Sequence, residues 1–316
     1  MTQSSTKRQD YIDISRGLAI TLMVLGHSSL PIPVQNLIYS FHMPFFFFIS
    51  GFLSRPLSTL NKKTIYQFIK KKAISLLLPF AIYSIINILL YPLYGELTLI
   101  EYIAQIIKHG WGSMALWFIP VFFMSVIISK LCITTRITAV ISSLLLIIIS
   151  FVLAKYKLQL PWNISTIPFA SVFMIFGYIM KDLIIYIVNT KSFTKRAIII
   201  FFTTSLTSFI ALRFRLDMAT NCIIPIIPII IAALAGIISL LTVSSIFSNF
   251  NIISKIIQYI GRHTYEVLGF SQVIIMIINS NTNWGSITKY IILIILLYCI
   301  FRLKDSLPNL FSSKNN

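Results

Sequence analysis

The sequence predicts an all-α integral membrane protein: a bundle of about ten transmembrane helices with both termini cytoplasmic. Three observations carry this. Of the 316 residues, 57% are hydrophobic and only 11% are charged, a balance too apolar for a soluble domain. Apolar runs of spanning length recur along the whole chain, and about 20 such residues cross a bilayer. The basic residues also sort by loop. One set of helix ends carries Lys7, Arg8, Arg55, Lys62, Lys63, Lys70, Lys71, Lys72, Lys130, Arg136, Lys181, Lys191, Lys195, Arg196, Lys255, Arg262, Arg302, Lys304 and Lys314. The other carries only Lys108, Lys155, Lys157, Arg213, Arg215 and Lys289. Cytoplasmic loops are the lysine- and arginine-rich ones, so both termini fall on the cytoplasmic side. Continuous apolar runs such as Leu144 to Ile149 exclude the alternating strands of an outer-membrane barrel.

Taken in order, the expected spans are 12–30, 34–54, 73–94, 115–133, 137–154, 166–187, 196–212, 222–247, 262–280 and 287–303. Residues 1–9 are polar and expected to be a disordered cytoplasmic N-terminus; 10–304 form the membrane domain, and 305–316 a cytoplasmic tail. The first span is longer than a signal h-region and lacks a small-residue cleavage site after it. The basic segment Arg55 to Lys72 carries Ile65, Phe68 and Ile69 at a spacing that suits a short interfacial helix. The segment Tyr94 to Ser113 is the longest external loop.

In a soluble chain a net charge of +18 would suggest nucleic acid; here it reports topology, and no nucleic-acid partner is expected. Cys132, Cys222 and Cys299 show neither paired spacing nor a metal pattern, so they are read as packing residues. Trp111, Trp117, Trp162 and Trp284 all fall on the external side, either as an interfacial belt or, for Trp117 above all, as a platform for a sugar.

The chemistry concentrates in the first two spans. Arg16 and His27 are eleven residues apart, close to three helical turns, so they share one face about 16 Å apart along the axis. Asp13 lies one turn before Arg16. A charge inside a bilayer costs at least about 2.5–3.5 kcal/mol on insertion scales, so such a stripe faces the protein interior. The second span adds His42 followed by Pro44, which frees a carbonyl one turn back and bends the helix. The short link Ser28 to Val34 makes the two spans antiparallel neighbours. Glu266 is expected to pair with Arg16 or Arg262 or to contact substrate. Arg213, Arg215 and Asp217, with Asn221, form an external polar cluster that either binds a sugar or is a solvated loop. Lys70, Lys71 and Lys72 either draw in an anionic co-substrate or contact anionic headgroups of the membrane lipid.

Several of these stretches resemble one family. Asp13 to His27 reads Asp-Ile-Ser-Arg-Gly-Leu-Ala-Ile, six residues, His; Ser40 to Phe52 reads Ser-Phe-His-Met-Pro-Phe-Phe-Phe-Phe-Ile-Ser-Gly-Phe. With Leu116 to Pro120, Phe176 to Tyr178 and Ile260 to Tyr265, the chain resembles the membrane acyltransferase-3 family over nearly its whole length. Within the family it is most similar to the fucose 4-O-acetylase-like polysaccharide O-acetyltransferases. The resemblance implies an acetyl group moved from acetyl-CoA to a hydroxyl of a cell-surface polysaccharide or lipid-linked sugar, at a bacterial-type cytoplasmic (inner) membrane, without a metal. It maps the family's functional arginine and histidine onto Arg16 and His27. Relatives often carry a histidine about ten residues after the glycine of the late motif; here that position is Ser271, followed by Gln272.

On the residues alone, His27 is the expected base, since a neutral imidazole suits proton transfer near neutral pH, or else a nucleophile that carries the acetyl group. Arg16 is expected either to hold the CoA phosphates bidentately or to make a structural ion pair. The competing reading is a transporter or flippase of a small solute or lipid-linked sugar. No paired repeat halves with matching broken helices support it.

Overall fold

The computed structural model describes residues 3–28, 30–57, 61–109 and 114–306; Trp111, Lys314 and the tail from 307 lie outside the described residues, as do the side chains of Lys7 and Arg8. Among the described residues the regular structure is helical, with one isolated β-bridge between Asp217 and Cys222. The helices are α1 (Gln3–Gly26), α2 (Ile32–Tyr39), α3 (His42–Phe52), α4 (Lys62–Leu90), α5 (Leu99–His109), α6 (Phe118–Cys132) and α7 (Arg136–Lys155). They continue as α8 (Ile167–Ile179), α9 (Lys181–Val188), α10 (Phe193–Ala211), α11 (Ile226–Phe247), α12 (Asn251–Arg262), α13 (Thr264–Asn281) and α14 (Ser286–Ser306).

Seven helical stretches among the described residues are long and apolar enough to cross a membrane: Ile32–Phe52, Lys62–Leu93, Ala115–Cys132, Arg136–Lys155, Pro161–Ile179, Phe193–Ala211 and Ile226–Phe247. The expected first, ninth and tenth spans are helical as α1, α13 and α14. Asp13 and Arg16 in α1, and Glu266 and Gln272 in α13, lower the mean hydropathy, whereas Lys289, Arg302 and Lys304 add charge to an α14 that is otherwise apolar.

Several boundaries differ from expectation for local reasons. Residues 3–9, expected to be disordered, continue α1, because no Gly or Pro separates them from Arg16 and a formed helix extends at little cost. The helix ends at Gly26, ahead of Pro31 and Pro33, so His27 sits just past its C-terminus and not deep within a span. The second span is two helices. Pro44 has no N–H to give the Ser40 carbonyl, and the chain breaks at Ser40–Phe41, which leaves Pro44 in the first turn of α3, where no N–H is required.

The expected interfacial helix before span three is not separate. Asn61 accepts from the Thr64 N–H at 2.8 Å, and α4 runs on unbroken from Lys62 because no Gly or Pro intervenes before Pro79. The external segment holds α5, opened by a reciprocal cap: the Thr98 N–H and hydroxyl both donate to Glu101, and the Glu101 N–H donates back to Thr98. Those bonds hold the Glu101 carboxyl below the usual carboxylate range. Cys222 and Cys299, read as packing residues, are exposed.

The chain folds as two compact units. The first comprises Met1–Ser58, Met124–Leu160 and Ile164–Thr264. In it α3 packs on α8 by direct backbone approach: a Cβ on Gly51 would meet the Met174 carbonyl at 1.7 Å, and one on Gly177 the Phe48 carbonyl at 2.0 Å. Fully buried Phe45, Phe47, Phe48, Phe169 and Phe173 fill this contact. Small residues at a helix crossing allow such approach where lipid offers no competing hydrophobic drive. α1 packs on α12 in the same way through Gly17, against the Ile257 carbonyl, and Gly261, against the Asp13 carbonyl. On α11, Gly236 receives the ring of Phe41, the residue at the break in the second span.

The second unit comprises Thr59–Phe123, Pro161–Asn163 and Tyr265–Asn316. Polar bonds tie α4 to α13: Asn87 donates to the Gly269 carbonyl at 3.1 Å, Tyr265 to the Leu76 carbonyl at 2.8 Å, and Tyr83 to Glu266 at 3.0 Å. Lys304, near the end of α14, ion-pairs with the same Glu266, which is almost fully buried.

Candidate active site

Two polar clusters form along α1, one at its middle and one at its C-terminal end, both within the first unit. The middle of the helix holds Asp13 between two arginines. Its Oδ1 lies 3.5 Å from Nη1 of Arg16 and its Oδ2 3.6 Å from Nε of Arg262. The close crossing at Gly261 brings Arg262 to this carboxylate. All three side chains keep some exposure, so the pairs contribute little to stability, and one carboxylate between two guanidiniums leaves a net positive site. A guanidinium fork matches phosphate oxygens in geometry.

At the C-terminal end of the helix, about 16 Å further along its axis, His27, Tyr39 and His42 stand together. Gly26 makes the space: a Cβ there would meet the Tyr39 ring at 3.3 Å. The Tyr39 ring stands edge-on to both imidazoles, with centroids 5.7 Å from His27 and 5.2 Å from His42. The Tyr39 hydroxyl and Nδ1 of His27 are 3.1 Å apart. His42 is 2% exposed, and its Nδ1 lies 2.8 Å from the Ile38 carbonyl. A carbonyl only accepts, so His42 must carry its proton on Nδ1 when neutral, and Nε2 is left with a lone pair.

The link between α10 and α11 supplies the third side. The Arg215 guanidinium lies 5.6 Å from the centre of the Tyr39 ring, within cation–π range. It is also 3.9 Å from Oδ2 of Asp217. Asp217 is fixed by its own turn: its main chain pairs with Cys222, and its Oδ1 accepts from the N–H groups of Ala219 and Thr220. That turn is anchored by Thr166, which donates to the Met218 carbonyl at 2.7 Å. Asp217 acts electrostatically on both His27 and Tyr39.

The sequence-predicted residues therefore divide. His27, His42, Arg215 and Asp217 converge, and Arg16 and Asp13 meet Arg262. Arg213 turns away, stacked 3.9 Å from the Phe209 ring and bonded to the Phe209 carbonyl. Lys70, Lys71, Lys72, Trp117 and Glu266 belong to the second unit. There Lys70 and Lys71 are exposed, Trp117 is buried edge-on to Phe118, and Glu266 is engaged by Lys304 and Tyr83. Tyr39 is absent from the sequence-predicted set, although its position one turn before His42 is a readable signal.

A base, a hydroxyl-bearing ring, a second imidazole with a free lone pair and an arginine–carboxylate pair together suit proton transfer from an alcohol. No curated protein and no solved structure matches the chain. The family profile described as an acyltransferase domain does match it, over residues 9–302, and the chain belongs to this acyltransferase-3 family as a membrane acyltransferase.

Proposed function

We propose that the protein is an O-acetyltransferase of the cytoplasmic membrane, both termini cytoplasmic, that moves acetyl from acetyl-CoA to a hydroxyl of a cell-surface polysaccharide or its lipid-linked precursor. The observation that carries this reading is the grouping of His27, Tyr39, His42, Arg215 and Asp217 at the C-terminal end of α1, with the Arg16–Asp13–Arg262 cluster at its middle. Arg16 and Arg262 hold the CoA phosphates, and Lys70, Lys71 and Lys72 raise the local concentration of this anion. The separation along α1 suits an extended pantetheine chain, which would deliver the thioester to His27.

His27 acts as the base because it stands open at the helix end and burial favours its neutral form, while the Asp217 carboxylate of the same cluster favours the imidazolium as it forms. Its Nε2 takes the acceptor's hydroxyl proton, the oxygen attacks the thioester carbonyl, and the C–S bond breaks. The proton then passes from the imidazolium to the CoA sulfur. His42, through its unprotonated Nε2, and Arg215 orient the acceptor. No step calls for a metal. Ser271, at the position of a histidine in relatives, makes the acceptor or its orientation the point of difference.

Membranes bearing the wild type or His27→Ala, given radiolabelled acetyl-CoA with lipid-linked and surface glycans, test the reading. Base-labile label in the glycan from the wild type alone is expected. Equal label from both, or unmodified glycan lipid crossing the membrane with no acetyl-CoA consumed, would overturn it.

A further inference from the structure

Tyr39 touches every element of the proposed transfer site and bears none of its reacting atoms. It ends α2, faces His27 at the end of α1 and His42 at the start of α3, and lies under Arg215 from the link between α10 and α11. Its hydroxyl is the polar group held 3.1 Å from Nδ1 of His27. For Nε2 of His27 to accept a proton, the ring proton must reside on Nδ1, and a neutral imidazole with Nδ1–H needs an acceptor there.

Resting on the reading of His27 as base, we infer that Tyr39 is the positioning residue that fixes the His27 tautomer, its phenol oxygen accepting from Nδ1–H. The lone pair of Nε2 is thereby kept for the acceptor hydroxyl. When Nε2 takes that proton, the same Nδ1–H···O bond orients the imidazolium, and the proton leaves from Nε2 to the CoA sulfur while Tyr39 stays neutral. His42 is held in its own Nδ1–H form by the Ile38 carbonyl, so the two histidines reach the same protonation pattern by different acceptors, one a backbone carbonyl and one a phenol. Gly26 is what permits this: any larger side chain would press on the Tyr39 ring.

Tyr39→Phe in the full-length protein removes the hydroxyl and keeps the ring against both imidazoles and Arg215. The expected result is a fall in kcat of about tenfold, the value of one hydrogen bond, with KM for acetyl-CoA and acceptor within about twofold. A packing role alone would leave kcat unchanged in the phenylalanine variant and lower it only in Tyr39→Leu. Nitrogen-15 NMR of histidine-labelled protein reads the tautomer directly. The chain has only four histidines, and His27→Gln identifies the signal. Nδ1 protonation of His27 in the wild type, lost in Tyr39→Phe, supports the inference. A wild-type His27 protonated on Nε2, or an unchanged kcat in Tyr39→Phe, overturns it. Absence of any transfer by the wild type would instead overturn the function reading, and the tautomer measurement stands apart from turnover.

Discussion

His42 and Ile38 are joined by a hydrogen bond of 2.8 Å from ring nitrogen to backbone carbonyl, across the break between α2 and α3. The bond spans one helical turn where the helix itself has been interrupted: the Ile38 carbonyl accepts from the Phe41 N–H at 3.3 Å and also takes a side-chain donor from the first residue of α3. It fixes the ring of a histidine that is 2% exposed. Replacing His42 with alanine removes both the bond and the lone pair on Nε2. Transfer by His42→Ala is expected to fall about tenfold to a hundredfold, chiefly in acceptor KM, whereas His27→Ala loses about a hundredfold or more in kcat. Steady-state kinetics with acceptor varied at saturating acetyl-CoA separates the two; identical kinetic profiles for both variants would contradict the division of roles.

Arg213 and Arg215 are two residues apart and do different work. Arg215→Ala loses the contact with the Tyr39 ring, worth roughly 0.5–2 kcal/mol, and acceptor KM should rise about two- to thirtyfold. Arg213→Ala loses its stack on the Phe209 ring and its bond to the Phe209 carbonyl, and should leave KM within about twofold. Equal effects would show that loop charge, not the position over Tyr39, is what matters.

Gly236 offers a test remote from the chemistry. A methyl group there would lie 2.6 Å from the Phe41 ring and must displace the residue at the break between α2 and α3. Gly236→Ala is expected to cost about 1–3 kcal/mol of stability, the usual range for overpacking, and to lower kcat as Tyr39 and His42 shift. Gly285→Ala, with nothing within 4 Å of the added carbon, is the matched control and should change neither Tm in detergent nor transfer. Normal activity in Gly236→Ala would mean the break tolerates movement.

In the second unit the ion pair of Glu266 and Lys304 should respond asymmetrically. Lys304→Met leaves a buried carboxylate with the Tyr83 hydroxyl but without that cation, a change of a kind that costs about 3–5 kcal/mol. Glu266→Gln keeps an acceptor for Tyr83, and Lys304, about one-third exposed, can turn outward, so its loss should be smaller. Thermal unfolding in detergent that ranks the two the other way would argue against this assignment.

The helical class and the candidate residues at His27, His42, Arg215 and Asp217 were legible because rare polar groups stand out in an apolar chain. Their meeting was not: it depends on a ring, Tyr39, that reads as one more aromatic in a hydrophobic run. The helix α12 was missed because Ser254, Lys255 and Gln258 interrupt its apolar content, although Ile252, Ile253, Ile256, Ile257 and Ile260 recur at helical spacing. The Lys304 partner of Glu266 was not legible because it is remote in sequence and only the packing within the second unit brings the two together.

That remoteness bears on how the protein is made. Glu266 leaves the ribosome well before Lys304, which follows 38 residues later. Until then α13 holds this acid without the Lys304 cation. The ion pair closes only after α14 has been made, so it links the completion of α14 to the settling of α13 within the second unit.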